Sequence, residues 1–427
     1  MKYLVLRRVA DAFDDFVDIG AAPADDGRRG GGFRARTRSG RRGDIEATEP
    51  AELPFTAKAE VLEDDQVNDA LAEEDVEGVI PSIPFTLIRP KTVAPLGARD
   101  VPATGWGIEA VKAHTSPNGV DGRGVTVAVL DTGINTAHPA FAGLTFSPDD
   151  LMDFVPNEEG TPGSATDDDG HGTHVCGTIF GRAVDGTRIG VAPGIDRVIV
   201  GRVLGPGGGG TEAIFNAMTW ALRRGADIIS MSLGIDFPDV VKELVEANYP
   251  PEIAASRALE AYRANIRFFD RIAAFLDARG AEGRGVLVIA ASGNESQRDR
   301  NPRFTVAVAP PAGADGFIAV GAVGRTGNAG APYRIADFSN TGCLLSGPGE
   351  DIVSADFGSN GLVSMDGTSM ATPHVAGVAA LWTQHLFRAR RPTGWANDVR
   401  RQLETTTINP SRLTRRDVGL GLVQAPQ

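Results

Sequence analysis

Four short apolar runs fix the kind of sheet this chain can build. Val125 to Leu130, Val198 to Val203, Asp227 to Leu233 and Val286 to Ala291 are apolar with few interruptions. A strand with one wet face alternates polar and apolar residues; a run that does not alternate is buried on both faces, as in a parallel sheet covered by helices. Parallel neighbours need crossovers of a dozen or more residues, and the intervening stretches are long enough to hold helices. The sequence therefore predicts an α/β fold, a doubly wound, mainly parallel sheet flanked by helices. The C-terminal tips of such strands are where these sheets place their sites. The first run ends in Asp131-Thr132-Gly133, the third in Ser232-Leu233-Gly234 and the fourth in Ser292-Gly293-Asn294-Glu295, while the second leads into the glycine run Gly207 to Gly210.

Taken singly, Asp131 reads as a turn aspartate. Asn294 reads either as a turn former or as a side-chain donor for an oxyanion. Between the first two strands lies Asp167-Asp168-Asp169-Gly170-His171-Gly172-Thr173-His174-Val175-Cys176. Histidines at i and i+3 share a helix face, so either they bind a metal together or one is a base and the other a packed partner. No glutamate stands between them, and the spacing does not match a zinc-protease helix. Near the C-terminal end, Ser369 lies in Asp366-Gly367-Thr368-Ser369-Met370-Ala371-Thr372-Pro373-His374, just before the apolar run Val375 to Trp382. That puts its hydroxyl at a helix N-terminus, where free N–H groups favour developing negative charge. A cap serine with a first-turn proline explains the same segment equally well.

Composition narrows the setting. A chain of 427 residues with 42% hydrophobic content buries a large core in two or three domains, and 53 glycines with 27 prolines make it rich in turns. A formal net charge of −13 counts against non-specific nucleic-acid binding. Met1 to Val9 is too soon interrupted by charge to read as a secretory leader, and no apolar run is long enough to span a bilayer. Only Cys176 and Cys343 are present, so no disulfide framework is implied. Together these features predict a cytoplasmic protein with no membrane partner.

Residues 1–92 read differently. Lys2 to Val9 alternates like an edge strand, Lys58 to Leu62 reads as a strand, Asp64 to Glu73 as a helix, and Gly78 to Ile88 as a strand broken by Pro81 and Pro84. This predicts a small α+β module ahead of a linker at 93–105 and a larger domain at 106–427. The module carries an Arg/Gly-rich stretch, 27–43, read as a solvated loop in preference to an RNA-binding or regulatory cleavage segment.

Five segments in one order, Asp131-Thr132-Gly133, Gly170-His171-Gly172-Thr173-His174, Ser232-Leu233-Gly234, Gly293-Asn294 and Gly367-Thr368-Ser369-Met370-Ala371-Thr372-Pro373, closely resemble the subtilisin-like serine peptidases. The resemblance runs from about Trp106 to the end of the chain. It implies a serine endopeptidase in which Asp131 orients His171, His171 takes the proton of Ser369, and Ser369 attacks the scissile carbonyl. Asn294 and the Ser369 N–H would bind the oxyanion, and His138, His174 and His374 would be structural. A protein or peptide substrate would lie extended between Gly207, Gly208 and Gly209 on one side and Ser232, Leu233 and Gly234 on the other, with Glu295 beside the specificity pocket and able to accept a basic side chain. Asp169 would favour a basic residue nearby. The module resembles the family's inhibitory propeptide, so the chain would be a self-inhibited zymogen cut within Pro90 to Ala103.

Four departures accompany the resemblance. Calcium-binding members carry Asp where this chain has Ala140. Residues 182–188 lack the usual amide ligands, so no cofactor is expected, calcium being the one the family would suggest. Cys176 occupies a position usually small and apolar; it reads as a buried thiol more readily than as a mercurial-sensitive one. An insertion at about 235–284 holds an amphipathic helix, Pro251 to Arg279 with Gly280 as its stop, preceded by a helical piece at Asp239 to Ala247. It reads equally as extra packing and as a lid or docking element. An acyl-transferring macrocyclase and a catalytically silent binding protein are the alternatives on the same scaffold.

Overall fold

The computed structural model describes residues 2–9, 53–95, 103–281, 283, 285–387 and 391–427; the Arg/Gly-rich stretch at 27–43 lies outside them. Strand β1 (Lys2–Arg8) lies between β2 (Phe55–Val61) and β3 (Val76–Pro81), antiparallel to both. Helix α1 (Asp64–Leu71) joins β2 to β3 and ends two residues before the predicted Glu73. Glu63 and Gln66 start it with reciprocal side-chain-to-backbone caps. The chain then crosses the larger unit through two short strands, β4 (Thr86–Leu87) and β5 (Thr92–Pro95). Sequence reasoning put 93–105 in a linker, yet β5 is paired.

After α2 (Trp106–Ala110), the chain lays down β6 (Thr126–Asp131), β7 (Leu151–Asp153), β8 (Thr161–Pro162), α3 (His171–Phe180), β9 (Arg197–Arg202), α4 (Thr211–Arg223), β10 (Ile228–Met231) and β11 (Leu233–Gly234). The helical insertion follows as α5 (Phe237–Glu246) and α6 (Pro251–Ala281), then β12 (Leu287–Ala291), β13 (Ile318–Arg325), β14 (Tyr333–Ile335), β15 (Leu345–Pro348), β16 (Ile352–Ala355), β17 (Leu362–Asp366), α7 (Thr368–Leu386) and α8 (Trp395–Thr405). Among the described residues the main sheet runs β14-β13-β12-β10-β6-β9-β7-β8, with β15 added to β13. Every pair from β13 across to β7 is parallel, and only β14 and β8 run against the rest. The predicted mainly parallel α/β sheet is thus observed.

Two apolar cores cover the two faces. One joins α3 and α7 to one face of the sheet. The other joins α4 and α6 to the opposite face and continues without a break into Leu4, Leu6, Phe55 and Ile80 of the N-terminal strands. Phe55 stacks on Phe215 at a centroid separation of 5.6 Å and meets Phe268 at 6.3 Å. The helix predicted in the insertion is α6, which buries Phe269, Ile272 and Leu276 but leaves Leu259 exposed. It runs past Gly280 to Ala281.

Candidate active site

Asp131 is the last residue of β6 and His171 the first of α3, so a strand tip and a helix start bring them together. His171 Nδ1 lies 2.7 Å from Asp131 Oδ1, and both side chains are fully buried. This approach needs glycine: a Cβ on Gly172 would stand 2.2 Å from the Gly133 carbonyl oxygen. Asp167 ties the two elements. Thr132 Oγ1 donates to its Oδ1 at 2.8 Å, and the Thr173 N–H donates to its Oδ2 at 2.9 Å. Burial disfavours a charged His171 ring, but the Asp131 carboxylate, with Asp169 and Asp167 behind it, outweighs that and raises its pKa above the ordinary value. His171 Nε2 has no hydrogen-bond partner among the described residues.

Ser369 is the second residue of α7 and is fully buried. Asn294, beyond the tip of β12, has its amide fixed from behind: the N–H and the hydroxyl of Thr368 both donate to its Oδ1 at 2.9 Å. Its Nδ2 is thereby turned outward as a donor.

What meets these groups is the chain's own segment 85–91. Phe85 exchanges two backbone hydrogen bonds with Gly209, of 2.8 and 2.9 Å. Thr86 and Leu87 then pair antiparallel with Gly234 and Leu233. The Ile88 carbonyl accepts from Ser369 Oγ at 3.0 Å, and the Arg89 carbonyl accepts from Asn294 Nδ2 at 3.0 Å. Lys91 N–H donates to the Asp366 carbonyl, and β5 continues antiparallel along β17. The segment is held as an added strand on both sides of the serine, a binding mode that uses main-chain bonds for affinity and side-chain pockets for choice. Ile88 is buried against Gly234, where a Cβ would stand 3.3 Å from its Cδ1. Phe85 is fully buried and meets Phe269 of α6 edge-on at 5.8 Å.

Of the residues sequence reasoning assigned to the groove, Gly209, Leu233 and Gly234 pair with this segment. Ser232 contributes its carbonyl, 3.4 Å from Ser369 Oγ, and its hydroxyl, which donates to the Ser369 carbonyl. Gly207 and Gly208 line the rim in a tight turn closed between Gly205 and Gly208. Glu295 departs from expectation: its carboxyl takes a 2.5 Å hydrogen bond from Asn340 Nδ2, and burial raises its pKa, so it is not a free anion awaiting a basic side chain. Asp169 does face a basic group, with Arg89 Nη1 at 3.8 Å. Segment 85–91 itself escaped sequence reasoning; Pro84 and Pro90 flanking an apolar run were the available signal.

The remaining histidines are held by carbonyls. His174 Nε2 lies 2.9 Å from Ile352 O and burial lowers its pKa to about 3; His374 Nδ1 lies 2.8 Å from Met370 O, its pKa lowered by burial to about 4. His138 Nε2 lies 2.9 Å from Gly361 O. The Cys176 thiol is fully buried, and burial pushes its pKa well up, away from reactive thiolate chemistry. The residues around 182–188 do not fit a calcium cage. Ala140 offers only its carbonyl, already taken by the Arg182 N–H, and the Arg188 side chain donates to the carbonyls of Gly190, Val191 and Ala113. No three His, Cys, Asp or Glu side chains converge as a metal site among the described residues. No helix among them is long and apolar enough to cross a membrane.

A parallel α/β sheet with aspartate, histidine, serine and an amide donor gathered at its strand tips defines a serine hydrolase scaffold. Residues 122–421 match the Subtilase family, peptidase S8. The chain is 33% identical to M-protease of Shouchella clausii (strain KSM-K16), over 83% of this chain and 77% of that protein. It is 34% identical to Subtilisin Savinase of Lederbergia lenta, over 77% and 98%. It is 35% identical to the Major intracellular serine protease of Bacillus subtilis (strain 168), over 64% and 73%. The chain belongs to the subtilase family and is a subtilisin-like serine protease, a hydrolase of protein or peptide substrates.

Proposed function

We propose that this protein is an endopeptidase in which Ser369 is the nucleophile, His171 its general base, Asp131 the group that orients His171, and Asn294 with the Ser369 N–H the oxyanion donors. The observation that carries this reading is the buried 2.7 Å Asp131–His171 contact beside a serine hydroxyl and an amide donor that both hold one extended peptide. Ser369 Oγ attacks the scissile carbonyl carbon while its proton passes to His171 Nε2. The oxyanion so formed is held by Asn294 Nδ2 until the C–N bond breaks and the leaving amine takes the proton from His171. Water, activated by His171 in turn, releases the acyl group from Ser369.

The chain is made self-inhibited, with its N-terminal strands as the inhibitor. In a cleavable alignment the hydroxyl and the oxyanion donor address one carbonyl group. Here they address successive ones, Ile88 and Arg89, and the Ser369 proton is given to a peptide oxygen. Strand pairing on both sides of the serine keeps the segment in that register. The same segment suggests the substrate class: extended peptides with a branched apolar residue where Ile88 sits and an aromatic residue three positions earlier, where Phe85 sits. No observation in the cleft favours the macrocyclase or the silent scaffold.

Intact-mass spectrometry of wild type beside Ser369→Ala tests both parts, with a fluorophosphonate label as the readout of Ser369. The expected result is loss of the N-terminal module from wild type only, with labelling that accelerates as the module leaves. Equal fragments from both proteins would overturn self-processing. Prompt labelling of the full-length chain would overturn self-inhibition, and no labelling of a processed chain would overturn the nucleophile assignment.

A further inference from the structure

Two carboxyl groups of the body meet under the N-terminal strands. Glu212, the second residue of α4, is 8% exposed; its Oε2 accepts the Ala59 N–H of β2 at 2.6 Å. Ala59 belongs to the edge strand of the small sheet, so this carboxyl caps a backbone group that the sheet leaves unpaired. Glu158, in the turn after β7, shares a side-chain hydrogen bond with Glu212 and pairs through Oε1 with Lys2 Nζ of β1 at 2.8 Å. It also lies against Gly210, where a Cβ would stand 2.6 Å from Oε1, directly beside the Gly209 rim that holds Phe85. Lys2 is the charged group that reaches the pair from β1. Glu60 of β2 instead approaches Arg7 at 3.7 Å, and α6 presents the neutral Asn265 to Thr211.

Two carboxyl groups share a hydrogen bond only if one of them carries a proton. We propose that Glu158 and Glu212 form a proton-bearing latch that holds the N-terminal module on the cleft in acid and loosens it as the solution becomes alkaline. With one proton on the pair, its single charge is balanced by Lys2; without it, two anions face one cation at a place the module seals from water. Burial, followed by the hydrogen bond with Glu158, raises the Glu212 pKa from 4.5 to about 7, while the Ala59 N–H and Lys2 act the other way. A lifted module returns Glu212 to solvent and to its ordinary range. The docked state then holds one proton more than the open state between those two values. Docking is at full strength below about 4.5 and is lost as pH rises to about 7, by at most about tenfold per pH unit for one proton.

The inference rests on the reading of the module as inhibitor, and the two fail differently. A labelled Phe-Thr-Leu-Ile peptide is titrated into full-length Ser369→Ala protein, which cannot cut it, at pH 5 and pH 8. Its apparent affinity falls with the fraction of open cleft. In Ser369→Ala the expected result is tenfold or more tighter binding at pH 8. In Ser369→Ala/Glu212→Gln, whose amide accepts the Ala59 N–H without titrating, the profile is flat, and Glu158→Gln flattens it independently. Parallel profiles in all three proteins overturn the latch and leave the inhibitor reading intact. Tight, pH-independent binding to Ser369→Ala overturns the inhibitor reading with it. No binding at pH 8 overturns the latch, which must be open there.

Discussion

At the residue scale, the reactive groups owe their behaviour to neighbours distant in sequence. Asp131, His171, Asn294 and Ser369 were legible because each sits at a strand tip or helix start where the local pattern is strong. Their supports were not: Asp167 binds Thr132 from 35 residues away, and Asn340 takes Glu295 from 45 away, which misled the reading of Glu295 as a specificity anion. His171 must be neutral to accept the Ser369 proton, and its carboxylate neighbours favour the charged ring. Activity of the processed enzyme is therefore expected to fall as pH drops through a value above the ordinary 6.5 of histidine. A kcat–pH profile with its acid limb at or below 6.5 would contradict this. Asp131→Asn is expected to lower that limb's pKa as well as kcat, by about ten-thousandfold. Asn294→Ala is expected to lower kcat with little change in KM. Subtilisin itself, this family's measured case, loses about a hundredfold to a thousandfold with one such donor. A change confined to KM would show that Asn294 binds substrate without serving the transition state.

At the element scale, periodicity located α6 but not its work. Steps of three and four residues reveal a buried stripe, yet they do not say which neighbour covers it. In the fold that stripe receives the module as well as the sheet: Asn265 Nδ2 donates to Pro81 O at 3.1 Å, and Phe269 faces both Phe85 and Phe317. The insertion is therefore extra packing and docking platform at once. Strand β5 was missed for the opposite reason, since a segment flanked by Pro90 and Pro95 has no periodicity of its own and is a strand only because β17 offers an edge. Phe85 is the one side chain through which α6 grips the cleft segment by aromatic contact. Truncating a buried phenylalanine costs about 3–5 kcal/mol. Phe85→Ala is expected to raise the fluorophosphonate labelling rate of full-length protein by a hundredfold or more. An unchanged rate would mean that β5 and the small sheet hold the segment without it.

At the scale of the whole molecule, the absence of an apolar gap between module and body matters most. Leu4, Leu6 and Phe55 share a core with Phe215 and Phe268, so each unit completes the other's buried surface. A body that loses the module exposes part of α4 and α6, and a module without the body leaves three strands and one short helix to bury Leu4 and Leu6. Such a shared core couples the two units in unfolding. Leu6→Ala, in the Ser369→Ala background that prevents processing, removes a fully buried side chain at a cost of about 2–5 kcal/mol. Calorimetry is expected to find a single transition in both proteins, moved to lower temperature in the Leu6→Ala variant. A separate early transition for the module, with the main one unmoved, would show that the two units fold independently and that docking is a weak association between finished domains.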